Sequence, residues 1–552
     1  MSFFKELADL GEQIERDCRR AQPGRYRLLE DTTSAGDDGG LLVHGDNLAL
    51  MLYLLREKGM AGRLQTIYVD PPFGSNAQYQ GAFRIDPDLP LLRPTAYADR
   101  CSEGMQKYLL MLGPRLCVMR ELLAEDGLIW VHLDWHTVHA VKLLMDEIFG
   151  AENFINEIIW QYKSGGSSKR HFARKHDTIL LYAKSSRYRL HVGLEKSYNR
   201  GLKPYRFRNV EEYCDQTGWY TLVHQKDVWA IDMVGRSSGE RTGYATQKPE
   251  ALLRRILEAS TEPGDLCADF FCGAGTLAAA AAATERRWIC CDSGALAVGV
   301  TQQRLARQAA GFRLLDEAAA GKEAAEKGSS GGEVTGHGTF AARAAAEAAG
   351  GVSRTAEGKN PSSARQAAVS ADPSLQRRLR VELTGWRVDR AALPLREAQR
   401  AALEEVDPLC LIVGWSIDAR YDGRVHRPQK VIVRKGGRDA AEPLPLSVVL
   451  TAAEAGYRDG AGDEADSGTT RTEAKDGAER AGSGVWPPHR ISVRVLDVFG
   501  NARRRTLTVQ NAVGAAEESG AAAEIGTMEE SGAAGEIDAE AGTTDAASEE
   551  GQ

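Results

Sequence analysis

Asp70-Pro71-Pro72-Phe73 closes an apolar run, Leu64 to Val69, and sets a carboxylate, a rigid carbonyl and a flat ring in consecutive positions. Two successive prolines fix φ and remove two backbone donors, so the Pro71 carbonyl stands as an acceptor beside the Asp70 carboxylate. The exocyclic amine of an extruded base would meet two acceptors there, with Phe73 as a stacking platform. Taken alone, the tetrapeptide reads equally well as a surface turn.

A second segment narrows the reading. Cys267-Ala268-Asp269-Phe270-Phe271-Cys272-Gly273-Ala274-Gly275-Thr276-Leu277-Ala278 runs from a strand through a glycine turn into an Ala-rich helix and fits G-x-G-x-x-G/A. Without side chains at Gly273 and Gly275 the turn can bring backbone N–H groups close to a ligand, and an acid about 20 positions on can bind a ribose diol. Asp292, after Trp288-Ile289-Cys290-Cys291, is placed for that role. Such a fingerprint also suits NAD, FAD or a plain tight turn. Two further runs argue against those: Tyr244-Ala245-Thr246-Gln247-Lys248-Pro249, opening a helix to about Ser260, and Leu41-Leu42-Val43-His44-Gly45-Asp46-Asn47-Leu48, a strand ending in an acid.

In this order the segments resemble the DNA amino-methyltransferases of the β arrangement, in which Asp-Pro-Pro-Phe/Tyr precedes the cofactor motif. Trp130-Val131-His132-Leu133-Asp134, Leu143 to Gly150, Asn153-Phe154, Glu157 to Trp160 and Lys175 to Lys184 are similar to type III restriction-modification methylation subunits and their solitary relatives. The resemblance covers roughly residues 25 to 315. It implies S-adenosylmethionine as cofactor, Asp70, Pro71, Pro72 and Phe73 as the catalytic motif, and double-stranded DNA as partner, with adenine N6 as the acceptor because Asp stands at position 70. It further implies cofactor contacts from Asp269, Phe271, Gly273, Gly275, Thr276 and Asp292, then Lys248 for the methionine carboxylate and Asp46 for the adenine ring. N4-cytosine methylation, RNA methylation and a silent DNA-binding relative are the alternatives. Cysteine-dependent C5 methylation is disfavoured, since the chain has no Pro-Cys dipeptide.

The elements that must position these groups read as an α/β fold, a doubly wound, Rossmann-like methyltransferase domain over 1–316. Asp46, Asp70, Asp134, Asp269 and Asp292 each follow the carboxyl end of an apolar run, where ligands bind in open parallel sheets. For His132 and Asp134 a structural role is expected. An inserted target-recognition region over about 162–243 is basic and aromatic. Lys163, Lys169, Arg170, Arg174 and Lys175 are its candidate DNA contacts, with Lys184, Arg187 and Arg189 close behind.

Residues 317–374, poor in large apolar side chains, read as a low-complexity linker. Residues 375–512 alternate short strands and turns like a small immunoglobulin-like sandwich, with a disordered loop at 459–484. The net charge of −8 is unevenly spread: residues 513–552 hold eleven acids and no Lys or Arg, so the remainder sums to +3. That repetitive Ala/Gly tail should be disordered. Apolar runs are too short for a membrane span, no leader opens the chain, and nine scattered cysteines without Cys-x-x-Cys suggest neither disulfides nor a metal. A cytoplasmic protein is expected, as a homodimer or beside a restriction subunit.

Overall fold

The computed structural model describes residues 2–34, 39–74, 77–84, 91–99, 104–164, 169–235, 238–318, 338–347, 378–388, 393–404, 406–434, 444–451 and 489–509. The loop at 459–484 and the acidic tail lie outside them.

Ten strands build the main sheet: β1 Tyr26–Asp31, β2 Gly40–His44, β3 Leu64–Val69, β4 Leu123–Leu133, β5 Phe154–Gln161, β6 His176–Ala183, β7 Val228–Ala230, β8 Leu266–Asp269, β9 Arg287–Asp292 and β10 Phe312–Glu317. Their order is β1-β10-β2-β9-β8-β3-β4-β6-β5-β7. Pairing is parallel from β10 through β2, β9, β8 and β3 to β4, and antiparallel where β1 meets β10 and where β6 meets β4 and β5. The sheet is therefore mixed, around a six-stranded parallel centre.

Side-chain alternation decides which layer each residue joins. Val43, Ile67, Val69, Ile129, Val131, Ile289 and Cys291 pack on one face, with Asn47–Leu52, Gly104–Leu122 and Val138–Phe149. Leu42, Tyr68, Leu128, Trp130, Trp288 and Cys290 face the opposite layer, made by Glu250–Ser260, Thr276–Ala283 and Ala295–Arg307. Because helices cover both faces, the central strands read as unbroken apolar runs. The expected three-layer α/β arrangement is what the chain forms, and Cys290 and Cys291 are both buried.

Two antiparallel sheets follow. One is Gly338–Glu347, Arg378–Val388 and Ser447–Thr451; the other is Lys430–Val433, Ile412–Asp418, His489–Asp497 and Ala502–Val509. The first of these strands falls within the stretch expected to be a linker. Its Ala-rich sequence has little strand preference of its own, so its pairing with Arg378–Val388 supplies what local composition does not.

Both sheets share a core, Leu379, Val381 and Trp386 meeting Trp415, Ile417 and Val493, and it continues into Leu296, Ala297 and Val300 of the helix Ala295–Arg307. By contact these strands belong to one compact unit, Met1–Asn511, with the mixed sheet. A buried ion pair, Arg494 Nη1 to Glu30 Oε2 at 2.6 Å, crosses the junction beside Gln302. The backbones also come close at Gly500, where an added Cβ would lie 2.1 Å from the Ala295 carbonyl oxygen. Gly500→Ala should therefore destabilise the protein by about 1 to 3 kcal/mol more than Gly264→Ala in urea unfolding. Gly264 has nearly the same φ, +85° against +84°, with nothing within 4 Å of its Cβ direction, so the difference isolates the clash.

Candidate active site

Parallel register brings the scattered carboxylates together. Along the carboxyl edge of β2, β9, β8, β3 and β4 the acids stand in the spatial order Asp46, Asp292, Asp269, Asp70 and Asp134. The first four line a cavity of about 330 Å³, together with Pro71, Pro72, Phe73, Lys248, Phe271, Gly273 and Thr276. Asp134 stays outside its lining, in a turn where it accepts the His136 amide at 2.9 Å.

Lys248 is buried and donates to Asp70 Oδ2, while Asp70 Oδ1 is buried with no hydrogen-bond partner. That leaves one catalytic-motif oxygen anchored and the other a ready acceptor. The Lys248 ammonium also lies 5.4 Å from the Phe73 ring centroid. Below Phe73 runs a buried relay of hydrogen bonds, Tyr68 OH to His132 Nδ1 at 2.7 Å and His132 Nε2 to Asp177 Oδ2 at 3.3 Å. Tyr162 OH closes it on Asp177 Oδ1 at 3.1 Å. Burial pushes the Asp177 carboxyl up, but the hydrogen bond and charge of His132 outweigh it and hold the group below the usual carboxylate range. Both ring nitrogens of the buried His132 thus have partners.

The glycine turn is held by a carboxylate. Asp292 Oδ2 accepts the Gly273 amide at 2.9 Å and Oδ1 the Gly294 amide at 2.8 Å. Asp269 accepts the Phe271 amide at 2.9 Å. Gly275, with φ +66°, does not line the cavity: it precedes the helix Thr276–Ala283, and a Cβ there would meet Thr301 at 2.5 Å. Asp46 lines the cavity with both oxygens in use, Oδ1 capping the helix Asn47–Leu52 and Oδ2 pairing with Arg115 at 3.2 Å.

The basic candidates lie apart from the cavity, on the connection from β5 to β6. Lys163 faces Asp232 at 3.5 Å, Lys175 donates to the Ser164 carbonyl at 2.6 Å, and Arg174 stacks 3.7 Å from the Trp135 ring centroid. Lys169 and Arg170 are exposed. Lys184 and Arg189, by contrast, are tied to Leu123 and Asp126 in the first part of β4 and to Asp265 just before β8, the opposite edge of the sheet. Sequence spacing grouped them with the basic cluster; the intervening strand β6 separates them.

Sequence reasoning missed several lining residues, namely Tyr68, Tyr97, Met111, Arg115, Tyr244, Thr246 and Gln247. Three of these adjoin Lys248, and their contiguity was the available signal. Tyr97 comes from a small hairpin with no motif of its own.

Asp269 keeps its proton at neutral pH, which leaves three carboxylates against two cations, Lys248 and Arg115, in the cavity lining, so a ligand of net positive charge is favoured. A sulfonium, an ammonium and a carboxylate on a nucleoside, the groups of S-adenosylmethionine, fit that balance. Asp292 and Asp269 would hold the ribose and methionine portions beside the Phe271–Gly273 backbone. Among the described residues no cluster of metal-ligating side chains occurs.

Residues 64–302 match the family model described as DNA methylase. The chain is 28% identical over 332 residues to the type II methyltransferase M.EcaI of Enterobacter cloacae, covering 48% of this chain and 69% of that protein. It is 25% identical to the DNA adenine methyltransferase YhdJ of Escherichia coli, over 47% of this chain and 80% of that one. To the type III EcoP15I Mod subunit of Escherichia coli it is 24% identical, over 38% of this chain and 36% of that subunit's length. Among solved structures, the PvuII DNA methyltransferase (cytosine-N4-specific) aligns at 16% identity over 50% of this chain and 90% of that one, with a TM-score of 0.33.

Burial, with Asp70 and Asp292 nearby, pushes the Asp269 carboxyl up to about 8 from an ordinary value of 3.8. The native state therefore holds a proton that the unfolded chain has lost between those values, and stability declines as pH rises through that window. Thermal unfolding of the ligand-free protein should show this decline from pH 5 to 8, and Asp269→Asn should flatten it. An unchanged pH slope in Asp269→Asn would assign the dependence elsewhere.

Proposed function

We propose that the chain, whose residues 64–302 match the DNA methylase family model, transfers a methyl group from S-adenosylmethionine to N6 of an adenine extruded from double-stranded DNA. The observation that carries the chemistry is the divided state of Asp70, one oxygen fixed by Lys248 and the other buried without a partner.

When bound, the cofactor supplies an electrophilic methyl on a sulfonium. Every other part of the reaction falls to side chains and backbone of this chain. Adenine N6 is a weak nucleophile because its lone pair is delocalised into the ring. Asp70 Oδ1 and the Pro71 carbonyl would each accept one of its N–H bonds, drawing the nitrogen toward a tetrahedral form and stabilising the positive charge that develops on it. Lys248 keeps the Asp70 carboxylate from turning. Phe73 would stack on the base, and its contacts with Lys248 and the ring of His132, at 6.0 Å between centroids, fix the plane of that stack. The Asp269 and Asp292 carboxylates would hold the methyl donor on the adjacent strands.

Asp at position 70 supports adenine over cytosine, where related enzymes often carry Ser. M.EcaI and YhdJ, by their names a methyltransferase and a DNA adenine methyltransferase, are consistent with that choice. A DNA substrate would place the reaction in the cytoplasm, and no described helix is long and apolar enough to cross a membrane. Likeness to a Mod subunit supports a restriction subunit as a partner, with a homodimer as the simpler assembly. The two C-terminal antiparallel sheets support an immunoglobulin-like sandwich.

Single-molecule sequencing of DNA from a methylation-free host expressing the protein should read N6-methyladenine at one short sequence, absent with Asp70→Ala. N4-methylcytosine at that sequence would correct the base alone, and unmodified DNA would overturn the reading. In vitro, Asp70→Asn should lower kcat at least about 100-fold, the loss expected when a transition-state acceptor is removed. S-adenosylmethionine affinity should stay within about threefold, because Asp70 acts on the base rather than on the donor.

A further inference from the structure

We propose that Phe172 is a wedge that enters the base stack of DNA at the point where the target base leaves it. The inference rests on the methyltransferase reading above and adds the residue that fills the vacated space.

Phe172 is 99% exposed, while the next most exposed large apolar side chain among the described residues, Phe207, reaches 62%. A ring presented wholly to water gains favourable apolar burial from any partner that covers it. Its surroundings specify that partner. From Lys163 to His176 the chain carries five Lys or Arg and no Asp or Glu, so the occupant is anionic. One ring rather than an apolar patch calls for a slot one ring thick, and the gap between stacked base pairs is such a slot.

The position of the hairpin agrees. Its mouth is closed by the Tyr162 amide on the Lys175 carbonyl at 3.0 Å and by Lys175 Nζ on Ser164. It emerges at the start of β6, where Thr178 lies opposite Leu133, the last residue of β4. This is the carboxyl edge of the sheet, and β3, the neighbour of β4, ends there in Asp70. Arg174 stacked on Trp135 ties the hairpin to the turn after β4. His171 Nδ1 bonds to the Phe172 carbonyl oxygen at 2.8 Å, which steadies the backbone of the wedge. Cations beside the ring would hold the phosphates while Phe172 occupies the gap, so the energy of unstacking falls partly on this side chain.

The test is single-turnover methyl transfer to duplexes carrying the mapped methylation sequence, with the target base either paired or opposite an abasic position. Phe172→Ala should slow transfer to the paired duplex by about 10- to 100-fold, yet stay within about threefold of wild type on the abasic duplex, where opening is already accomplished. Phe172→Trp should remain close to wild type on both, and the salt dependence of duplex binding should be unchanged by either substitution. Equal losses on the two duplexes, or no loss on either, would overturn the wedge while leaving methyl transfer intact. Wild-type protein inactive on both duplexes would overturn the methyltransferase reading, and the wedge with it.

Discussion

The buried contact between Lys248 and Asp70 is the constraint on which the rest of the site depends. It joins residues 178 positions apart, and its cation is itself pinned from behind. The Lys248 carbonyl accepts from Thr276 Oγ1 at 3.2 Å, Thr276 Oγ1 accepts from Arg304 Nη1 at 3.0 Å, and Arg304 Nη2 pairs with Glu250 at 2.7 Å. One chain of contacts thus fixes the Asp-Pro-Pro-Phe motif, the helix Glu250–Ser260 and the glycine turn relative to each other. A buried ion pair adds little net stability, because desolvation offsets its attraction, whereas loss of one partner costs about 3 to 5 kcal/mol. Its value here is orientation. With Oδ2 committed to Lys248, the direction of Oδ1 is set before any substrate arrives.

Charge in the cavity follows the same logic. Asp269 and Asp292 are both pushed up by burial, each against the pull of backbone amides. An interior built for stability alone would not gather carboxylates at one sheet edge. Their cost in the ligand-free state becomes favourable energy once a cation occupies the space between them, so the destabilisation and the binding selectivity have one source.

Most of this was legible in sequence, and what was not has identifiable causes. The apolar runs ending in acids gave the strands and their carboxyl ends, because a parallel sheet covered on both faces forces uninterrupted hydrophobic stretches. Their lateral order was hidden: β9 and β8 lie between β2 and β3, and no local pattern encodes a crossover. Tyr97 and Arg115 reach the cavity through tertiary packing alone, from a hairpin and a helix that carry no motif. Asp46 illustrates how two readings coexist, since it caps a helix and lines the cavity at once. Gly338–Glu347 escaped because Ala is neutral toward strands until a partner presents an edge.

The portion that holds the C-terminal sheets reaches the walls of the cavity by two routes. Gly500 packs against the Ala295 carbonyl, one residue beyond Gly294, whose amide holds Asp292 Oδ1. On the other side, the Thr95 amide bonds to the Pro394 carbonyl at 3.2 Å and Gln399 donates to Leu91 at 3.1 Å, bracing the hairpin that supplies Tyr97. These contacts add to the ties the hairpin makes within its own domain, the Ala82 amide on the Gly243 carbonyl at 2.7 Å and Tyr97 OH beside Thr246 Oγ1 at 3.2 Å, and a two-stranded ladder needs such support because it is marginal alone. The β-rich portion thus braces, from a further side, a carboxylate turn and an aromatic wall around a cavity whose own charges work against its closure.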